Sequence, residues 1–298
     1  MPTNKITPFL KWPGGKRWFV QNYASLLPTD FNRYIEPFLG GGSVFFHLRP
    51  KDALLGDANP DVITAYMAVK QDWKRIERSL VYRQRAHLLD DDYYYKQRGK
   101  VTEDPMDRAA RMIYLNRTCF NGIYRVNLQG QFNVPRGTKN EVVMDSDDFE
   151  AIAELLQGAE LRLADFEALV DEAQRGDLVF ADPPYTVRHN LNGFVKYNEV
   201  LFSWADQERL AIALGRARDR GVKIVSTNAN HASVRALYEG LGFAMQPLAR
   251  FSSISASSSS RRQFEELVVQ ANLDSGAADG LVTIRSTSGS RTTSRARK

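Results

Sequence analysis

The chain has 298 residues, 43% of them hydrophobic and 25% charged, enough to bury a full-sized core and ordinary for a globular protein. A single cysteine, Cys119, excludes an intrachain disulfide and a cysteine-rich zinc site, and four scattered histidines (His47, His87, His189, His231) do not repair that gap, so no metal is expected. The net charge of +5 lies in Arg285, Arg291, Arg295, Arg297 and Lys298, which leaves residues 1–279 neutral overall.

The first motif is "FLKWPGGKRW" (9–18), followed by a helical pattern over 15–27. It contains Gly-Gly-Lys, but Arg17 and Trp18 follow Lys16 where a phosphate loop needs Ser or Thr. Lys16 beside Trp12 suits instead a carboxylate and a purine or thioether. "RYIEPF" (33–38) reads as a strand running into Gly40, Gly41 and Gly42, with Ser43 placed to open a helix. Phe45 stands where a dinucleotide fingerprint needs glycine. "ALLGD" (53–57) ends in Asp57, where such folds set an acid against ribose hydroxyls. These two strands point to a nucleoside at their carboxyl ends, with a tight turn and an ordinary strand-end acid as the open alternative.

A helix is predicted over 60–80, and the strand–helix alternation fails between residues 58 and 145. That stretch, including "DDDYYYKQRGK", reads as helices and loops inserted as a small domain, with "DDDYYY" a helix start bearing a core-facing tyrosine. Alternation then resumes: helix 147–157, strands "AELRLAD" (159–165) and "DLVFAD" (177–182), helix 204–220 and strand "VKIVSTN" (222–228). "GFAMQPLARF" (242–251) and "RRQFEELVVQA" (261–271) flank a serine-rich turn as an antiparallel hairpin, with Arg261 and Arg262 on DNA or in a solvated loop. Beyond Asp274 the Ser, Thr, Gly and Arg composition predicts a disordered basic tail over 274–298. No run approaches 18 apolar residues and no secretory segment opens the chain, so a cytoplasmic protein without membrane contact is expected.

Charge is segregated along the chain. Nine Lys/Arg face three acids from Lys96 to Lys139, and eleven Asp/Glu face two arginines from Asp145 to Asp177. A basic face meeting a polyanion and an acidic face turned away is one reading; two solvated helix faces is the other.

"DLVFADPPYTV" (177–187) ends a buried strand on an acid, two prolines and a tyrosine. An exocyclic amino group on a nucleobase is a poor nucleophile because its lone pair is delocalised into the ring. Two acceptors on its hydrogens, the Asp182 carboxylate and the Pro183 carbonyl, would pull the nitrogen toward a tetrahedral arrangement. Pro183 and Pro184 have no N–H to compete and fix the backbone locally. Tyr185 can stack on the base and hold it for in-line attack. Cys119 reads as packing, since this chemistry needs no thiol.

With "FLKWPGGK", "EPFLGGGSVF", "DANPDVI", "YLNRTCFNGIYRVNLQGQFNVP" (114–135) and "DPPY" in that order from Phe9 to Ala271, the chain resembles the Dam-type (alpha-group) DNA adenine-N6 methyltransferases. The resemblance implies an α/β, Rossmann-like S-adenosylmethionine-dependent fold: a mixed seven-stranded sheet with a C-terminal antiparallel hairpin, plus a helical DNA-recognition insert. It divides the chain into a catalytic domain (1–57 and 146–273), a target-recognition domain (58–145) and the tail. Trp12, Lys16, Asp57 and Asp182 match residues lining the S-adenosylmethionine pocket. Phe38 and Gly40 match its glycine loop, and Asp165 with Phe166 the cradle of its adenine. The reaction implied is direct methyl transfer to N6 of an adenine flipped out of double-stranded DNA, without metal or covalent intermediate.

The 114–135 string is expected as a recognition hairpin. Phe120–Asn121 matches a pair inserted near the vacated space, Arg125 a guanine reader, Ile123 and Pro135 positions against thymine, and Lys11 a contact to the outer guanine; Asn127 belongs to the same DNA-binding string. Together they favour GATC. "RGTKN" (136–140) departs from the more basic, aromatic stretch common there, so phosphate clamping is not carried over. Cytosine-N4 methylation is the nearest rival, disfavoured because those enzymes more often carry serine at Asp182. A DNA-binding regulator or restriction partner with lost or secondary methylation is the rival of a different class. The resemblance implies a monomer and leaves open a separately encoded restriction endonuclease as partner.

Overall fold

The computed structural model describes residues 6–127, 129–187, 202–250 and 264–273. The sheet is built from β1 (Tyr34–Glu36), β2 (Ala53–Asp57), β3 (Ala159–Leu163), β4 (Leu178–Ala181), β5 (Lys223–Ala229), β6 (Ala244–Arg250) and β7 (Phe264–Ala271). β1 and β4 are buried at every position, as parallel strands covered on both faces must be. The pleat divides each strand between two cores. Leu178 and Phe180 pack on one side, Val179 and Ala181 on the other.

The order is β3-β2-β1-β4-β5-β7-β6, with the first five strands parallel and β7 antiparallel to both β5 and β6. The hairpin read from the sequence therefore forms, and its second arm is the inner one. "RYIEPF" shortens to Tyr34–Glu36 because Pro37 cannot donate to a ladder. Between β1 and β4 the chain order reverses, the point at which open α/β sheets form a crevice beyond their carboxyl ends.

The helices are α1 (Arg17–Tyr23), α2 (Ser43–Leu48), α3 (Pro60–Leu89), α4 (Tyr93–Gly99), α5 (Pro105–Thr118), α6 (Phe149–Leu156), α7 (Phe166–Asp171), α8 (Trp204–Asp219) and α9 (Ala232–Gly240). Helix α3 starts at Asn59, whose side chain accepts the Asp61 N–H, with Pro60 in the first turn. It runs nine residues past the predicted end. Asp72 leaves helical geometry midway, and its carboxylate accepts the Arg75 N–H at 2.9 Å to restart the helix. "DDDYYY" opens α4 with Tyr93 and Tyr94 buried. Helices α7 and α9, six and nine residues long, were not predicted.

Two expectations are corrected. The 114–135 string is not a hairpin throughout: Tyr114–Thr118 is the buried last turn of α5, and among the described residues the pairing beyond it consists of the bridges Cys119–Arg136 and Val126–Phe132. The Asp104 cap with Pro105, followed by apolar residues at helical spacing, carries α5 through the start of the motif. The charge segregation also fails to make two plain faces. Lys96 pairs with Asp90, Lys100 with Asp107, Arg108 with Asp61, Arg136 with Asp91, and fully buried Arg117 with Asp147. Arg209 and Arg216 from α8 likewise cover Asp165, Glu167 and Asp171. The cations of the basic stretch are met by acids close by in the chain, as Lys96 and Lys100 are, or from elsewhere in the fold, as Arg108, Arg117 and Arg136 are. The expectations for Arg261, Arg262 and the tail lie outside the described residues.

Candidate active site

Asp182 follows directly on β4. Its neighbours come from three other parts of the chain. Lys16, held beside the turn that precedes α1, sets Nζ 2.7 Å from Asp182 Oδ1 and donates to the Gly14 carbonyl at 2.9 Å. Thr227 on β5 donates its hydroxyl to the same Oδ1 at 2.7 Å. Register explains this, because Ala181 lies opposite Ser226 and the next residue up the sheet edge is Thr227. Glu266 on β7 completes the group, 3.6 Å from Lys16 Nζ and accepting the Tyr185 hydroxyl at 2.6 Å. The Lys16 ammonium also lies over the Tyr185 ring, 5.0 Å from its centre.

This is a shielded constellation: the Lys16 side chain is 3% exposed and that of Asp182 17%. Burial pushes the Asp182 carboxyl above its ordinary range, and Lys16 and Thr227 oppose the shift without cancelling it. Behind it, Glu36 at the end of β1 accepts the Tyr34 hydroxyl at 2.9 Å, and burial raises its carboxyl well above the usual value. Pro183 is buried, and the Thr186 hydroxyl donates to the Phe202 carbonyl at 2.6 Å, fixing the strand's exit.

The glycine loop lies at the adjacent strand ends. Gly40 has φ +44°, and a Cβ on it would fall 2.5 Å from Trp12 Cδ1, so this approach of backbone to indole requires glycine. Asp57 at the end of β2 accepts the Gly40 N–H on Oδ2 and the Asn59 N–H on Oδ1, both at 2.9 Å. Its carboxylate is thus the clamp of the loop, and burial raises its pKa despite those bonds. Phe38 stacks on Phe166 at 5.4 Å, and the Arg209 guanidinium covers Phe166 at 4.5 Å. Asp165 caps α7 through the Glu167 N–H and pairs with Arg209 at 2.8 Å.

The expected DNA-contacting residues gather at the end of α5. Phe120 is 51% exposed, and Asn121 beside it takes a left-handed φ of +54°. Ile123, Arg125 and Pro135 are exposed. Arg125 Nε donates to Asn133 Oδ1 at 2.8 Å, while the Asn127 side chain accepts the Gln129 and Gln131 N–H groups and so organises its own turn. The Lys11 backbone exchanges bonds with the Asn116 side chain, 2.8 Å from its N–H and 2.7 Å from its carbonyl. Cys119 is buried and its thiol is pushed up to about 11 by that burial, which fits packing.

Sequence reading missed Glu266, Thr227, Glu36 and Tyr124. Glu266 had one signal: in "FEELVVQA" the period-2 alternation puts one of two adjacent acids on a buried face.

The strand order, with an antiparallel strand set inside the last pair and an acid–Pro–Pro–aromatic turn at the carboxyl edge, defines a Rossmann-like α/β methyltransferase. The profile of the D12 class N6 adenine-specific DNA methyltransferases matches residues 12–254, and the chain belongs to that family. It is 35% identical to the type II methyltransferase M1.LlaDCHI of Lactococcus lactis subsp. cremoris, over 89% of this chain and 96% of the relative. It is 34% identical to the type II methyltransferase M.MjaIII of Methanocaldococcus jannaschii, over 79% and 89% respectively. A DNA adenine methylase of Haemophilus influenzae is 30% identical, over 90% and 94%. The chain is an adenine-specific DNA methyltransferase, and its acceptor atom is adenine N6.

Proposed function

We propose that the methyl donor is S-adenosylmethionine and that the target adenine lies within GATC in double-stranded DNA. The observation that supports this reading is the Asp182 carboxylate, held on Oδ1 by Lys16 at 2.7 Å and Thr227 at 2.7 Å beside a rigid Pro-Pro-Tyr turn.

The residues fit the donor. Gly40 lets the Trp12 indole pack directly on the glycine loop, which sets a flat aromatic wall beside the strand ends for a purine or thioether, and Asp57 is an acid at the ribose position of the strand end. Trp12, Lys16, Phe38, Gly40, Asp57, Asp165, Phe166 and Asp182 would hold it. Bound there, the donor supplies an electrophilic methyl group on a sulfonium. With Oδ1 occupied, Asp182 Oδ2 accepts one N6–H of the extruded adenine and the Pro183 carbonyl accepts the other. The amino lone pair is thereby localised for attack, and the proton released on methylation leaves along the same bonds. Tyr185, anchored by Glu266, stacks on the base. Extrusion costs a few kcal/mol, offset by these contacts and by Phe120–Asn121 at the vacated space. Arg125 reads guanine, Ile123 and Pro135 lie against thymine methyls, and Lys11 meets the outer guanine; Asn127 shapes the turn that presents them.

The test is expression in a host without DNA methylation, with Asp182→Ala as control and modified bases mapped across the genome. N6-methyladenine confined to GATC and absent from the control is expected. Methylation in another motif would sink the assignment of the base readers and keep the chemistry. Arg125→Ala should lose about 1–3 kcal/mol of discrimination at its guanine, seen as methylation spreading to sites altered there.

A further inference from the structure

The recognition turn and the glycine loop are joined by two routes that close into one circuit. On one route, Gly40 donates to Asp57 Oδ2, Asn59 donates to Asp57 Oδ1, Asp61 donates to Asn59 Oδ1, and the Tyr124 hydroxyl donates to Asp61 Oδ2 at 2.6 Å. On the other, the Tyr124 ring stacks on Trp12 with centres 5.2 Å apart and planes at 29°, and Trp12 lies against Gly40. Tyr124 is half-buried between two exposed residues, Ile123 and Arg125, and its ring also meets Phe132 edge-on at 5.8 Å across the Val126–Phe132 bridge. Arg108 Nε fixes the far end of the circuit by donating to Asp61 Oδ1 at 2.7 Å.

We infer that Tyr124 is a positioning residue that couples the cofactor pocket to the base-reading turn, so that filling one favours the bound arrangement of the other. This rests on the proposed function, because it takes Trp12 and Gly40 as cofactor wall and Arg125 as base reader. Any displacement of the Trp12 indole by a ligand against Gly40 must be followed by the stacked Tyr124 ring. The ring sits one peptide from Arg125 on either side of any shift, while its hydroxyl is tied to the start of α3. A ligand that orders the indole therefore orders the turn, and linkage makes the effect reciprocal.

The measurement is the ratio of S-adenosylhomocysteine dissociation constants without and with a GATC duplex, by titration calorimetry on the full chain. The unaltered chain should bind the cofactor product about fivefold or more tightly with DNA present, and a cognate duplex should gain by the same factor from S-adenosylhomocysteine. Tyr124→Leu, which removes stack and hydroxyl, should bring that ratio to about one, and Tyr124→Phe, which keeps the stack, should give an intermediate ratio. If Tyr124→Leu weakens both ligands yet keeps the ratio, Tyr124 is merely structural and the inference is overturned. A ratio of one in the unaltered chain, with both ligands bound, overturns the coupling alone. Failure of the unaltered chain to bind S-adenosylhomocysteine overturns the donor assignment and the inference with it. Should Tyr124→Leu fail to fold, Tyr124→Phe decides: an intermediate ratio supports the coupling and an unchanged one overturns it.

Discussion

Lys16 meets two carboxylates in a nearly closed site, Asp182 at 2.7 Å and Glu266 at 3.6 Å. Buried ion pairs are weak sources of net stability, since desolvation offsets most of the attraction. Their use here is to set the charge state of Asp182. Burial raises that carboxyl above its ordinary value of 3.8, and Lys16 is the largest opposing influence. A raised carboxyl is ionised only at higher pH, so the acid limb of the single-turnover rate should lie above the limb of an ordinary aspartate. Lys16→Met should move that limb further toward alkaline pH and leave the plateau reachable at high pH; a limb that stays put would remove Lys16 from the control of Asp182. Much of this site was legible in the sequence, because Asp182, the prolines and Tyr185 stand in one stretch. Thr227 and Glu266 were not, since which residue of β5 or β7 faces Asp182 depends on strand register, and register is set by the folded sheet.

Helices α3 and α5 are fastened at both ends by charge. Arg117 in the last turn of α5 is buried, with two bonds to Asp147 at 2.6 and 2.8 Å and others to the carbonyls of Phe9 and Val142. Asp147→Ala leaves a guanidinium buried without its counter-charge and should cost roughly 3 kcal/mol, the low end for a broken buried pair because the carbonyls remain; chemical denaturation measures it. At the other end, Asp107 sits between Arg83 and Lys100. Burial pushes its carboxyl up, but the bonds from Lys100 and Arg83 outweigh that and hold it at about 2. A depressed carboxyl stabilises the fold above its unfolded value and loses that contribution as pH falls. The melting temperature should therefore drop between about pH 4 and pH 2, and Asp107→Asn should be lower at neutral pH and flatter across that window. Strands β1, β2 and β4 were readable from short apolar runs ending at Pro or Asp. The pairs Arg83–Asp107 and Arg117–Asp147 that hold the insert helices were not, because they join residues 24 and 30 positions apart, and a charge count along the chain has no access to such partners.

For the molecule as a whole, the expected outcome concerns how affinity for DNA is shared between the folded body and the cations beyond residue 274. Residues 275–298 carry five Lys/Arg against the single acid Asp279. Deleting them should lower the steepness of log affinity against log salt by up to about four or five and leave the methylated motif unchanged, measured by duplex binding between 50 and 200 mM salt. A changed motif would mean that the tail reads bases.

The place of β7 in the sheet has one more consequence, which concerns synthesis. The last strand of the fold is not an edge. It enters between β5 and β6 and brings Glu266 to Tyr185 and Lys16. A ribosome delivers the glycine loop and Asp182 before Phe264 emerges, so a nascent chain holds that acid while the strand that completes its surroundings is still unmade. Until β7 is made, the sheet is unclosed between β5 and β6, and Tyr185 and Lys16 lack their Glu266 partner.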